Sequence, residues 1–171
     1  LITSPSVSTE GSFETFPAFS ADGTSLFFCS AGKGTIPVDY NKIRYSLCRI
    51  SFDPSSGTFG NRVDTIVSSD VTGKSISFPR ASHDGKHLMF TMSDYGNFSI
   101  WHKEADLYLL NLMDGTYKPL DPVNSNDTDS YHSWSSGSQW FVFSSRRYDG
   151  LYTRLYISWL DENGKATKPF L

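Results

Sequence analysis

Three apolar runs stand out along the chain: Leu26–Cys29, Leu88–Phe90 and Trp140–Phe143. Each is continuous rather than alternating, which predicts strands buried on both faces. The same phrase precedes each run. It reads "FPAFSADGTSLFF" from Phe16 and "FPRASHDGKHLMF" from Phe78, and a third copy starts at Tyr131. Without gaps, Phe16, Phe78 and Tyr131 correspond, then Pro17, Pro79 and His132, then Ser20, Ser82 and Ser135. The turn holds Asp22-Gly23, Asp84-Gly85 and, in the third copy, Gly137-Ser138. Spacings of 62 and 53 residues signal a repeat architecture.

Each copy reads as four strands. A short first strand ends just before Ser20, Ser82 or Ser135. Asp-Gly predicts a tight hairpin, because Gly accepts positive φ and Asp bonds local backbone. The apolar run is the second strand. "YSLCRISF", "DLYLLNL" and "RLYISWL" supply the third, each closed by a polar turn containing Gly. The fourth is weakest, in "TFGNRVDTIV", "TYKPL" and "ATKPFL", where Pro119 and Pro169 suit an edge. Helical spacing is absent. The pattern predicts an all-β fold of about three four-stranded antiparallel β-propeller blades, near residues 13–67, 75–121 and 130–171 of one 1–171 domain. A β-sandwich is the structural alternative, but it does not require the same turn phrase in each unit. Propellers close with about 4–8 blades. Three blades therefore predict a partial ring or a fragment of a six- to eight-bladed one. Its bare faces call for remaining blades from the parent chain or from a second copy.

Composition narrows the partners. The chain holds 13 Phe, 9 Tyr and 4 Trp, which suit strands and packing between sheets. Its 15 basic and 18 acidic residues are interspersed and give a net charge of −3. That balance argues against nucleic acid. No apolar run approaches the roughly 20 residues of a membrane-spanning helix. Cys29 and Cys48 fall in strand-like runs and read as buried thiols; a disulfide between neighbouring strands is the alternative. HExxH, Walker A, GxGxxG and GxSxG motifs are absent, and the four histidines lack ligand spacing. No cofactor or metal is expected.

The phrase aromatic-Pro-x-x-Ser-x-Asp-Gly-x-x-Leu-x-Phe, followed by "DLYLLNLMDG", resembles the TolB-type propeller repeat, a WD40-like (PD40) repeat. "SSRRYDGLYTRLYI" matches that repeat's serine, arginine and Asp-Gly after the second strand. The resemblance covers about residues 13–171. "DYGNFSIWHKEADLY" and "SYHSWSSGSQWFVFSSRRYDGLYTR" are similar to envelope proteins of Bacteroidetes-like bacteria, which implies a periplasmic or envelope-associated location.

The resemblance implies that the loops between second and third strands share one rim with the connections between blades, and that the Asp-Gly hairpins sit opposite. That rim would collect insertions at Ala31–Arg44, Ser93–Ala105 and Arg146–Thr153, with connectors Ser68–Ser77 and Asp121–His132. Candidate ligand-binding residues are Tyr95, Trp101, His102, Lys103 and Glu104, then Arg146, Arg147 and Tyr152, and His132 at the start of an inner strand. Aromatics beside donors and a carboxylate suit a polar ligand with an apolar face. Forked guanidinium donors suit carboxylate or phosphate. Against this stand structural roles: Trp101 over a blade edge, Arg146 paired with Asp149, and Asp127 and Asp129 in a solvated connector. Two functions follow. One is a non-catalytic module that binds a protein, peptide or glycan in the bacterial envelope. The other is the propeller of an enzyme, a polysaccharide lyase or the gating domain of a serine peptidase, with catalytic parts outside this chain.

Overall fold

A computed structural model describes residues 5–171; Leu1–Ser4 of the expected span lie outside the described residues. The strands make three antiparallel sheets, each running in chain order from an inner to an outer strand. The first holds β1 (Ser12–Phe19), β2 (Ser25–Gly32), β3 (Ser46–Asp53) and β4 (Thr58–Val67). The second holds β5 (Ser75–Ala81), β6 (His87–Ser93), β7 (Asp106–Asn111) and β8 (Tyr117–Pro119). The third holds β9 (Asp129–Trp134), β10 (Trp140–Ser145) and β11 (Arg154–Trp159). These are blades of a β-propeller. Two short helical pieces interrupt the pattern: α1 (Ser69–Thr72) and a 3-10 turn at Ser99–Trp101.

The blades stack face to face. Phe27, Cys29 and Leu47 of the first pack with Leu88, Phe90 and Leu110 of the second. Met89, Leu107 and Leu109 on the second blade's other face pack with Phe141, Phe143 and Tyr156 of the third. Alternate residues of β6 thus serve two different cores, as a strand buried on both faces requires. Cys29 and Cys48 are free and buried; Cys29 belongs to the core with the second blade, Cys48 to the core on the opposite face. Burial pushes both thiols up.

The repeated aromatic does something that periodicity could not show. Register slips between Thr15 and Ala18, between Ser77 and Arg80, and between Ser130 and Ser133. At each bulge the aromatic takes a left-handed backbone, with φ of 53° at Phe16, 53° at Phe78 and 51° at Tyr131. Non-glycine residues rarely adopt it, at a cost of about 1–3 kcal/mol. The rings then meet across the blades. Centroids lie 4.3 Å apart for Phe16 and Phe78 and 4.4 Å apart for Phe78 and Tyr131. Close ring contact of this kind contributes about 0.5–1.5 kcal/mol per pair beyond burial, which offsets much of the backbone cost.

The following serine and aspartate close the hairpin. Its connection runs over Ser20–Thr24, longer than the tight Asp-Gly turn that the sequence predicts. Ser20 Oγ donates to Asp22 Oδ1 (2.6 Å) and accepts from the Ser25 N–H (3.0 Å), while Gly23 takes φ 71°. Ser82, Asp84 and Gly85 repeat this arrangement. In the third copy Ser138 carries the positive φ, 60°, and its Oγ accepts from the Asp84 N–H at 2.9 Å. Ser138 thus stands in the glycine's place and adds a contact to the neighbouring hairpin.

The third blade departs from expectation twice. Its outer segment forms only isolated bridges, Ile157 to Phe170 and Leu160 to Ala166, because Pro169 lacks the N–H that a ladder needs. And β10 alternates rather than being buried on both faces, because one face of this terminal blade is bare. In the first blade the outer strand is the longest, at 10 residues, where the weakest strand was expected.

Phe78 sits in the middle of the aromatic ladder. Phe78→Ala should cost about 2–4 kcal/mol in urea unfolding, and Phe78→Tyr less than about 1 kcal/mol. A cost under about 1 kcal/mol for the alanine variant would contradict the ladder's role.

Candidate functional site: the loop rim

All three insertions and both connectors gather on one rim. The first insertion turns on Asp39, whose Oδ2 accepts from the Thr35 N–H (3.0 Å) and whose Oδ1 pairs with Lys42 (2.9 Å). It joins the second where Asn97 Nδ2 donates to the Tyr40 carbonyl (2.7 Å) and Tyr40 meets Tyr95 edge-on at 5.8 Å. Gly96 is required here: a Cβ would stand 2.3 Å from the Tyr45 ring. The connector after the first blade is tied in by Arg44 Nε, which donates to the Gly73 carbonyl (3.0 Å), and by Lys74 with Asp94.

His102 organises the second insertion from within. It is buried, its Nε2 lies 2.9 Å from the Asn97 carbonyl, and its Nδ1 lies 3.1 Å from Glu104 Oε1. Tyr95 packs on its ring at 3.9 Å between centroids. The same Glu104 oxygen accepts from the Asp94 N–H at 3.2 Å. These contacts leave Lys103, Phe98 and Trp101 facing solvent, Trp101 at 69% exposure. Phe98 holds a left-handed backbone, φ 56°, ahead of the 3-10 turn.

Arg146 links the second and third insertions. Its guanidinium lies over the Trp101 ring, 4.7 Å from the centroid, and donates to the Gly150 carbonyl. Its Nε is buried without a partner. Asp149, expected opposite Arg146, instead accepts from the Leu151 and Tyr152 N–H groups and from Arg154, each at 2.9 Å. The Tyr152 N–H, then Arg154, hold its carboxyl down at about 2. Arg154 in turn covers the Tyr148 ring at 4.4 Å. The turn is thereby fixed with Tyr148, Leu151 and Tyr152 outward.

Arg147 and Asp129 form an internal pair rather than a rim feature. Asp129 is fully buried, contrary to the solvated connector expected there. Its Oδ1 takes Arg147 at 2.6 Å, and its Oδ2 accepts from the Ser125 N–H (2.7 Å) and hydroxyl (2.9 Å). Arg147 also donates to the Val123 carbonyl (2.6 Å) and lies over Phe143 and Tyr156. Nearby, Thr128 Oγ1 donates to the Ser99 carbonyl (3.1 Å), which docks the connector on the second insertion. His132 lies within β9 rather than at its start, buried where Pro79 stands one blade earlier, with Nε2 2.9 Å from the Met89 carbonyl.

The nine candidate residues thus separate. Tyr95, Trp101, Lys103, Glu104, Arg146 and Tyr152 gather on the rim, with Trp101, Lys103, Glu104 and Tyr152 exposed. His102, Arg147 and His132 support the fold from inside. Sequence reasoning missed Phe98, Tyr148 and Leu151, which complete the exposed apolar surface. The only available signal was that these apolar residues stand in turn-rich segments. Cavities of about 350–650 Å3 open beside His87 and Lys118, between the Asp22 and Asp84 hairpins, beside Arg49 and Arg62, beside Val7, and beside Asp39. Trp101, Arg146 and Tyr152 line none of these.

Three of the solved structures similar to this chain share its fold. One described as TolB from Agrobacterium tumefaciens is 17% identical, with a TM-score of 0.56 over 92% of this chain and 48% of its own. The fold is that of a β-propeller. An oligogalacturonate lyase from Vibrio parahaemolyticus is 18% identical, TM-score 0.56, over 92% of this chain and 39% of its own. A puromycin-hydrolyzing peptidase from Mycobacterium tuberculosis is 14% identical, TM-score 0.63, over 92% of this chain and 23% of its own. This chain therefore spans less than half the length of each. No family model and no curated protein matches it. At these identities the likeness concerns the fold.

Two titratable groups carry opposite pH signatures. Burial lowers His132 from 6.5 to about 4. Between those values the unfolded chain binds more protons, so His132's contribution is complete above pH 6.5 and is lost towards pH 4. The loss reaches about 3 kcal/mol. Burial, then the charges of Asp129 and Asp121, raise Asp106 from 3.8 to about 6. The fold there prefers the protonated carboxyl, so its charge weakens the fold as pH rises through that window. The two oppose each other, and the wild-type slope should be shallow. In urea unfolding at several pH values, the stability gap between wild type and His132→Gln should shrink on acidification from pH 7 to 4. A gap independent of pH would show that the imidazole is not held neutral.

Proposed function

We propose that this chain is a non-catalytic interaction module whose loop rim binds a protein, peptide or glycan in the bacterial envelope. One observation carries the reading. Phe98, Trp101, Tyr148, Leu151 and Tyr152 are all exposed, yet the first two rise from a loop braced by His102 and Glu104, and the last three from a turn fixed by Asp149 and Arg154, with Arg146 over the Trp101 ring. Exposed aromatics held in place lose little entropy on binding, and Trp, Tyr and Arg dominate the energetic centres of interfaces. The surface is open rather than a closed pocket, which favours a macromolecular partner over a small molecule. No helix among the described residues is long and apolar enough to cross a membrane.

The second reading is the propeller of an enzyme, and the lyase and peptidase among the similar folds are its support. In this chain the Nε2 atoms of His102 and His132 face backbone carbonyls, so these histidines are committed to the fold. Catalysis under this reading comes from parts outside the chain.

Binding to an envelope glycan array and to periplasmic extract separates the roles of the two rims. Trp101→Ala and Tyr152→Ala should each weaken a captured interaction by at least about tenfold, the usual loss at an interface anchor. Asp84→Ala, on the hairpin rim, should leave it unchanged. Equal binding by all three variants would refute the rim as the site.

A further inference from the structure

The geometry points to a binding site for a small anionic molecule, one that carries a carboxylate or phosphate group, between the outer halves of the second and third blades. The inference goes beyond the loop-rim reading and uses none of its residues.

Strand register builds the site. Met89 and Leu109 are partners across β6 and β7 and face the third blade. His87 and Asn111, one alternate pair further along, share that face, and so does Lys118, the partner of Leu109. Opposite them stands the turn after β11, with Asn163 and Gly164. Together these residues line a cavity of about 350 Å3. Leu109 supplies an apolar wall and the others a few placed polar groups, the composition of a small-molecule site. Gly164 sets how closely the turn approaches. It takes φ 71°, and a Cβ there would stand 3.2 Å from Leu109 Cδ2 and 3.4 Å from His87 Nε2.

The first blade shows the same place with its charge matched from within. By register Ser25 corresponds to His87, Arg49 to Leu109 and Asp64 to Lys118. There Asp64 takes Arg49 at 3.5 Å and Arg62 at 3.0 Å, so that notch holds its own carboxylate. In the second blade a lysine stands at the carboxylate's position and a leucine at the arginine's. Among the described residues Lys118 makes no ion pair. The covering turns differ too. A Cβ on Gly115, in the second blade's turn, would meet nothing within 4 Å, whereas the Gly164 turn closes on its neighbour. The second notch is therefore enclosed and cationic.

The carboxylates nearby are engaged in their own turns. Asp114 accepts from Asn111 Nδ2 (3.2 Å) and from the Thr116 N–H (2.8 Å). Asp161 accepts from the Asn163 N–H (2.9 Å) and the Lys165 N–H (2.8 Å), and Asp84 from the Ser82 hydroxyl (2.6 Å). Burial, against the pull of Asp84, holds the His87 imidazole below its usual range, so at pH 7 it is neutral. Lys118 then supplies the charge, and an oxyanion is the group that a lone ammonium beside neutral donors recognises.

NMR titration of the isotope-labelled chain at pH 7 and constant ionic strength tests this, with inorganic phosphate and acetate as separate probes. At least one probe should give saturable amide shifts at Lys118, Asn163 and Gly164, with half-saturation in the millimolar range. A response to phosphate alone assigns a phosphate group, to acetate alone a carboxylate, and to both an oxyanion of either kind. Lys118→Gln, on an exposed position, should weaken the response at least about tenfold while the rest of the spectrum stays in place. Lys86→Gln, a lysine outside the cavity, should leave it unchanged. No saturable shift at these amides with either probe overturns the proposal, as does undiminished binding by Lys118→Gln. An equal loss in both lysine variants also overturns it, since the attraction would then be diffuse rather than seated in the cavity.

Discussion

The fold turns on a backbone flip in the inner strand of each blade. Phe16, Phe78 and Tyr131 each spend conformational energy on a left-handed conformation at a β-bulge. The return is a ring presented sideways to the next blade rather than into its own sheet. A regular strand would send that residue into one face, and the inner edges of the blades would share only backbone. With the flip, three rings form one ladder through the sheets. The residue after the third ring also gains a role, since His132 is buried with its Nε2 2.9 Å from the Met89 carbonyl of the preceding blade.

From that constraint the division of labour between the two rims follows. The bulge is joined to its hairpin by a few residues, so the Ser20 and Ser82 turns must repeat with the same hydrogen bonds. Where the third hairpin lacks aspartate, Ser138 borrows a donor from the second. That rim has little freedom to vary. On the other rim the loops differ in length and content, and they cohere through contacts the repeat does not prescribe: Asn97 with Tyr40, Arg146 with Trp101, and Thr128 with Ser99. Variable loops on a rigid frame are where recognition surfaces arise.

Much of the frame was legible in the residues, because the phrase combines an aromatic, a turn and an apolar run whose consequences are local. The bulge was not, since a bulge leaves apolar periodicity intact and appears only in pairing. The ion pair of Asp129 and Arg147 was hidden for another reason. A polar, oxygen-rich connector reads as solvated, and only tertiary packing brings Arg147 over Phe143 and Tyr156 to meet it. His102 was singled out for its chemistry, yet it braces its own loop. The exposed trio Phe98, Tyr148 and Leu151 went unread because a lone apolar residue in a loop carries no periodicity. The alternating burial of β10 reflects a missing neighbour, which no property of its own four-residue run encodes.

The flipped rings hold the blades together by contact with one another. A double-mutant cycle of Phe16→Ala and Phe78→Ala in urea unfolding measures that contact. The expected coupling is about 0.5–1.5 kcal/mol, the value of an aromatic pair in contact. Costs that add within about 0.3 kcal/mol would show that the rings only fill space, and would contradict it.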